Sequence, residues 1–197
     1  MRLSFKCEVF FMVVSVIDEV KNKVLVLCAE DHKTKIWHSH ITKVVYYSKL
    51  LAEKLGASIE VCELASWLHD ISKMEGVKKE HHIKGAERAG EILRGLNYNE
   101  DKIKKVQDAI IAHSSDDRHP PISLEQKIVA CADALAWLDD FLLFVHGLLY
   151  IKKIPSDDVK IILKDKLLVA KTKVSVISEA QLMAEPKILA AEFLLEV

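Results

Sequence analysis

Apolar residues recur along this chain at steps of three and four, the period of a helix face, and no stretch shows the strict alternation of a half-buried strand. The clearest run is Ile59, Cys62, Ala65 and Leu68, with Leu64, Leu68 and Ile71 adding the four-residue step; it predicts a helix from Ser58 to about Ser72 with one face inward. Before it, Val16, Val20, Val24, Leu27 and Cys28 mark an amphipathic helix over residues 16–30, and a polar connection follows at 31–37. A second helix, from about His38 to Leu55, turns Val44, Val45, Ser48, Leu51, Ala52 and Leu55 inward, and Gly56 stops it at the usual place for a left-handed cap. After a loop at Gly76, Lys78 and Lys79, a fourth helix carries Ile83, Ala86, Ala89, Ile92 and Leu93 and closes at Gly95. A turn at Asn97–Asn99 offers a cap for a fifth, through Ile103, Val106 and Ile110.

Two prolines among turn formers make residues 114–122 a loop. Ser123 with Gln126 has the form of a capping box and opens a sixth, strongly apolar helix through Ile128, Cys131, Ala132, Leu135 and Leu138, predicted to run as far as Tyr150. Pro155 breaks the chain, Ser156 is the expected cap, and Asp157 and Asp158 suit a first turn. A long helix to about Ala184 follows, with Pro186 in the first turn of a last short helix ending in Phe193, Leu194 and Leu195. The predicted fold class is all-α. The expected organisation is an N-terminal apolar segment and first helix over 1–37, a core over 38–150, and a C-terminal helical extension over 151–197 packed on the core as one domain.

Composition narrows the function classes. With 197 residues, half of them hydrophobic, the chain can bury one substantial core. Lysine plus arginine (28) nearly balance aspartate plus glutamate (29), so nothing points to a nucleic-acid or membrane-surface binder. Cys7, Cys28, Cys62 and Cys131 form no Cys-x-x-Cys pair; three lie in apolar helical contexts, as buried thiols of a cytoplasmic protein do. Arg2 and Lys6 precede an apolar run from Val9 to Ile17, but it is about half the length of a membrane span, and Asp18 and Glu19 follow at once. It reads as the lead into the first helix, with Met12 as an alternative start that leaves 1–11 as an upstream extension.

The candidate chemistry gathers at helix ends. His40 opens the second helix, His69 and Asp70 end the third, His81 and His82 open the fourth, and His113 ends the fifth. Asp133 lies within the sixth, where Val129, Ala130, Ala136 and Trp137 offer its carboxylate no partner. Burying imidazoles and ionised carboxylates is costly unless each gains a strong partner, and a metal cation satisfies both at once. Neutral imidazole and carboxylate ligands without thiolate suit one or two ions of manganese, iron, cobalt, nickel or zinc. His32, His38, His119 and His146 are expected on the surface or in the core.

His40-Ile-Thr-Lys-Val44, Leu68-His69-Asp70-Ile71-Ser72-Lys73, His81-His82-Ile-Lys-Gly85-Ala86-Glu87, Ile110-Ile-Ala-His113-Ser114 and Ala132-Asp133-Ala134-Leu135 occur in that order. Together they resemble the HD-domain metal-dependent phosphohydrolases, and in particular their binuclear subgroup. The resemblance covers residues 38 to about 140 and implies that His40, His69, Asp70 and Asp133 bind a first metal. Asp70 would bridge to a second, held by His113 and by His81 or His82. The expected activity is hydrolysis of a phosphomonoester, phosphodiester or phosphoanhydride of a small phosphorylated substrate such as a nucleotide, with Asp70 and Lys73 at the reacting centre. Lys73 and, less directly, Arg118, Lys78 and Lys79 would meet substrate phosphates. A homodimer could form through the leucine-rich C-terminal helices. Two other readings share the frame: a degenerate module that binds metal or nucleotide as a sensor, and a diiron oxygenase with a similar His and Asp set.

Overall fold

The structure, a computed structural model, describes residues 15–30, 36–114, 116 and 118–196. The helices are α1 (Val16–Glu30), α2 (Ile36–Leu55), α3 (Ile59–Leu68), α4 (Ile71–Met74), α5 (His81–Gly95), α6 (Glu100–Ala112), α7 (Leu124–Asp139), α8 (Phe141–His146), α9 (Ser156–Val174) and α10 (Ser178–Leu195), with a π-helical turn at Gly147–Ile151 after α8. No strand occurs among the described residues, and the fold is all-α. The apolar run before Ser15 and Cys7 lie outside them.

α7 is the axis of the bundle. Ile128, Cys131 and Leu135 face an apolar cluster that includes Leu51 and Ala52 of α2, Cys62 of α3, and Leu163, Leu167 and Ala170 of α9. Val129 faces a second cluster, formed by Val20 and Val24 of α1, Ile41 and Val45 of α2, Leu64 and Leu68 of α3, Leu93 of α5 and Ile110 of α6. Capping follows the chemistry expected of it. Gly56 has φ 72°, the left-handed backbone that stops α2. Asn99 accepts from the Lys102 N–H, and Ser123 with Gln126 completes the capping box of α7.

Five boundaries differ from the pattern, each for a structural reason. The third helix stops at Leu68, not Ser72: His69 is its C-cap, Asp70 leaves helical geometry (φ −113°, ψ 17°), and α4 restarts at Ile71. Two neighbours on a continuous helix point about 100° apart, so only the break lets both side chains face one place. Ile59, placed inward by its spacing, is 40% exposed at the first turn of α3. The sixth helix ends at Asp139 and not at Tyr150, because the buried Asp140 carboxylate turns the chain; it pairs with Lys43 and accepts from Ser39 Oγ at 2.8 Å, both on α2. Ser156 makes no side-chain cap; it is the first residue of α9, with Pro155 at the cap position. The long C-terminal helix ends at Val174, because Ile177 is extended and buried and turns the chain so that α10 packs on α9 and α7. Pro186 then lies inside α10, where its ring faces solvent and water can serve the carbonyl it leaves unpaired.

Cys28, Cys62 and Cys131 are buried, and burial pushes the Cys62 and Cys131 thiols up to about 12. Truncating Leu163, buried between α9 and the first cluster, tests whether the C-terminal helices are part of that core. Leu163→Ala is expected to lower unfolding free energy by about 2–5 kcal/mol in urea denaturation; a loss under about 1 kcal/mol would mean that α9 is only loosely attached.

Candidate metal centre

Two buried histidines at helix ends share one device. His69 caps α3, and its ring Nδ1 lies 2.8 Å from the Ser66 carbonyl; His113 caps α6, with its Nδ1 on the Ile110 carbonyl. A carbonyl only accepts, so each Nδ1 carries the proton and each Nε2 presents a lone pair. Both Nε2 atoms point at Asp70: His69 Nε2 is 3.7 Å from Oδ2, and His113 Nε2 is 3.6 Å from Oδ1. From the start of α5, His81 Nε2 reaches 3.9 Å from the same Oδ1. Its position is held by Ser72, whose hydroxyl donates to the His81 carbonyl at 2.8 Å.

On the other side of His69 stands Asp133. Its Oδ1 is 3.8 Å from His69 Nε2 and 3.2 Å from His40 Nε2, in the first turns of α2. Two groups therefore meet, His40–His69–Asp133 and His69–Asp70–His113, each with ligating atoms within 4.8 Å of one another. His69 belongs to both, and Asp70 turns one oxygen to His69 and the other to His81 and His113.

The charge states suit a cation. Burial lowers the His69 pKa to about 3 against the opposing pull of Asp70, and lowers His81 to about 4, helped by Lys73. These imidazoles are neutral at pH 7. Burial works to raise both carboxyls, but His69, His113 and Lys73 outweigh it at Asp70, and Lys173 and His40 outweigh it at Asp133, so both stay well below the ordinary carboxylate range. Neutral nitrogen donors thus face ionised oxygens. His69 Nε2 and His40 Nδ1 are buried without a hydrogen-bond partner among the described residues. Orphaned polar atoms of this kind are expensive in an apolar bundle, and a divalent ion would satisfy those that face the centre. The donor set fits a metal of borderline hardness.

The chain and its fold have counterparts among known proteins. The family model of the HD domain matches residues 37–138, more than half of the chain. The chain belongs to the HD domain family. Its fold is also similar to solved structures. An HD-superfamily hydrolase from Bacillus thuringiensis superposes with a TM-score of 0.65 at 23% identity, over 91% of this chain and 93% of that one. The Lin1889 protein of Listeria innocua gives 0.65 at 22% identity, over 92% of each. A predicted HD superfamily hydrolase from an uncultured Thermotogales bacterium gives 0.54 at 23% identity, over 82% and 86%. No curated protein matches the chain.

The structure gathers His40, His69, Asp70, His81, His113 and Asp133, and it separates the adjacent pair at the start of α5. His81 faces Asp70, while His82 turns the other way, 3.3 Å from Asp116, with the His119 ring 6.0 Å from its own. His82, Asp116 and His119 form a third close group, in which Asp116 is already bound by the Arg118 guanidinium. Arg118 is thus committed to Asp116 and makes no contact with the Asp70 group, and Lys78 and Lys79 are exposed loop residues. His38 is exposed, His146 stacks on Tyr150, and His32 lies outside the described residues. Lys73 does reach the centre, its Nζ 2.8 Å from Asp70 Oδ1 and 3.0 Å from Oδ2.

The residue that pattern reading missed is Lys173. From α9 its ammonium lies 2.6 Å from Asp133 Oδ2, so the carboxylate without a partner in its own helix has one from the C-terminal extension. No local signal could show this, since the pair is 40 residues apart and α9 carries many other lysines. Among the described residues, no helix is long and apolar enough to cross a membrane.

Stability should follow these ionisations. His69 stays neutral in the fold down to about 3 but takes a proton near 6.5 when unfolded, so between those values the unfolded chain binds more protons and stability falls as pH drops. Asp70 and Asp133 add a second loss below their unfolded value of 3.8. Chelator-treated protein is expected to lose stability in urea steadily as pH falls from 6.5 towards 4, and His69→Gln to flatten that slope. A wild-type profile flat over this window would contradict the neutral-imidazole assignment.

Proposed function

We propose that this chain is a metal-dependent phosphohydrolase that cleaves a phosphate ester or anhydride of a small substrate, with a nucleotide the best fit, in the cytoplasm. The observation that carries the reading is Asp70, a buried carboxylate with the neutral imidazoles of His69 and His81 facing its two oxygens and a lysine at its rim. In this reading His40, His69, Asp70 and Asp133 hold one divalent ion, and Asp70, His81 and His113 hold a second. Such ions supply a water of lowered pKa and Lewis acidity toward phosphoryl oxygens. The word hydrolase in the names of the Bacillus thuringiensis and Thermotogales relatives favours the same reaction class.

The chain's own groups do the rest. The Ser66 and Ile110 carbonyls fix the tautomers of His69 and His113, so the donor atoms need no rearrangement when substrate arrives. Lys173 orients Asp133 through one oxygen and leaves the other facing His40 and His69. Lys73 is part-exposed at the rim, where its ammonium can leave Asp70 and meet a phosphate oxygen as negative charge develops there. The apolar walls of α3, α6 and α7 keep bulk water away from the carboxylates, which strengthens each of these interactions. The unit of function is the helical core over 38–150 with the extension over 151–197 packed on it as one domain.

The reading predicts that protein loaded with manganese, cobalt or iron releases phosphate from a nucleotide or an aryl phosphate. Asp70→Ala and Asp133→Ala should each lower turnover by at least about 100-fold while far-ultraviolet circular dichroism stays unchanged. Undiminished turnover in either variant, with metal content equal to wild type, would remove the proposal.

A further inference from the structure

Two ammonium groups lie on the carboxylates of the centre, and a third stands close by. Lys73 lies on Asp70 and Lys173 on Asp133. The third is Lys166, about two helical turns before Lys173 on the same helix. Its ammonium stands 5.9 Å over the ring of Phe144, and that ring meets the imidazole of His40 edge-on, with centroids 6.2 Å apart. Lys166 is therefore one aromatic ring away from the metal-ligand set. Among the described residues it has no ion-pair partner of its own, although the chain has 29 acids to 28 bases. Although the residue as a whole is exposed, its ammonium is held below the usual lysine range, first by loss of solvent, against Asp133, and then by Lys73, Lys173 and Lys152.

Lysines repel one another, so ammonium groups gathered about one site favour an anion among them. Asp70 and Asp133 carry two negative charges against the three of Lys73, Lys166 and Lys173, and divalent ions would add to the positive surplus. A phosphodiester brings one negative charge; a phosphomonoester, or the terminal phosphate of a nucleotide, brings close to two and three oxygens free to accept hydrogen bonds.

Resting on the phosphohydrolase reading, we propose that Lys166 and Lys73 bind the free oxygens of a dianionic phosphate, so that the C-terminal extension selects phosphomonoesters and terminal phosphates over phosphodiesters. Lys173 is a positioning residue in this arrangement, because its contact is with Asp133.

The test compares p-nitrophenyl phosphate with bis(p-nitrophenyl) phosphate, which share a leaving group and differ in charge at phosphorus, on manganese-loaded protein of measured metal content. Inorganic phosphate is titrated onto the same samples by calorimetry. The wild type is expected to prefer the monoester. Lys166→Met should reduce the monoester-to-diester ratio of kcat/KM about tenfold, through KM, and weaken phosphate binding about tenfold, the size of one charge-assisted hydrogen bond. Lys164→Met, on the same helix beside Glu196, should change neither. A wild type that favours the diester, or a Lys166→Met protein with unchanged ratio and phosphate affinity, overturns the subsite while leaving the hydrolase reading in place. Phosphate binding that depends on Lys166, in a wild type that cleaves neither ester, supports the subsite and overturns the hydrolase reading instead.

Discussion

Two ionised carboxylates inside an apolar helical bundle are the constraint on which this structure turns. Asp70 and the side chain of Asp133 are largely removed from water, and each carboxylate would be strongly destabilising without compensation. Compensation comes in two layers. Lysines from α4 and α9 neutralise one side of each group, and imidazoles line the other, with neutral His69 presenting its lone pair between the two carboxylates. An imidazole lone pair facing an anion repels it unless a cation lies between them. The arrangement is therefore one that favours a metal, and the orphaned Nε2 of His69 shows where the need is greatest.

The fold delivers this centre with few special devices. Helix ends supply His40, His69, His81 and His113, so four elements contribute one side chain each at the level of Asp133 on the central helix. The break after Leu68 is the one departure from regular helix that the centre requires, since it brings adjacent residues to the same place. The buried Asp140, tied to α2 by Ser39 and Lys43, holds α2 against α7 and so fixes the distance between His40 and Asp133. The C-terminal helices pack on α7 from the other side, and through Lys173 they touch a member of the centre directly. Their sequence lies outside the matched family segment, so this part of the environment belongs to the chain and not to the family pattern.

Much of this was legible in the sequence. Helical period located every long helix except α10, whose first turns it assigned to α9, and a polar residue among apolar neighbours, as at Asp133, marks a site because burial without a partner is too costly to persist. The choice between His81 and His82 was not legible, because both enter the first turn of α5 and only packing decides which faces Asp70. The stop after Leu68 was hidden for a related reason: Trp67 to Ser72 has helical composition throughout, and the tertiary demand on His69 and Asp70 overrides it. Pro186 misled in the opposite direction, since an exposed proline can remain within a helix when water serves the freed carbonyl. Lys173 was beyond pattern reading, as an ion pair between distant helices leaves no trace in local spacing.

The central claim is that dispersed imidazoles and carboxylates form one cation-binding centre about Asp70. Anomalous diffraction from crystals soaked in manganese tests it most directly, because it locates ions without reference to activity. The account predicts a peak within coordination distance of His40, His69, Asp70 and Asp133, and a second at full loading beside His81 and His113. Saturated crystals with no peak at Asp70, or with manganese only beside His82, Asp116 and His119, would contradict it.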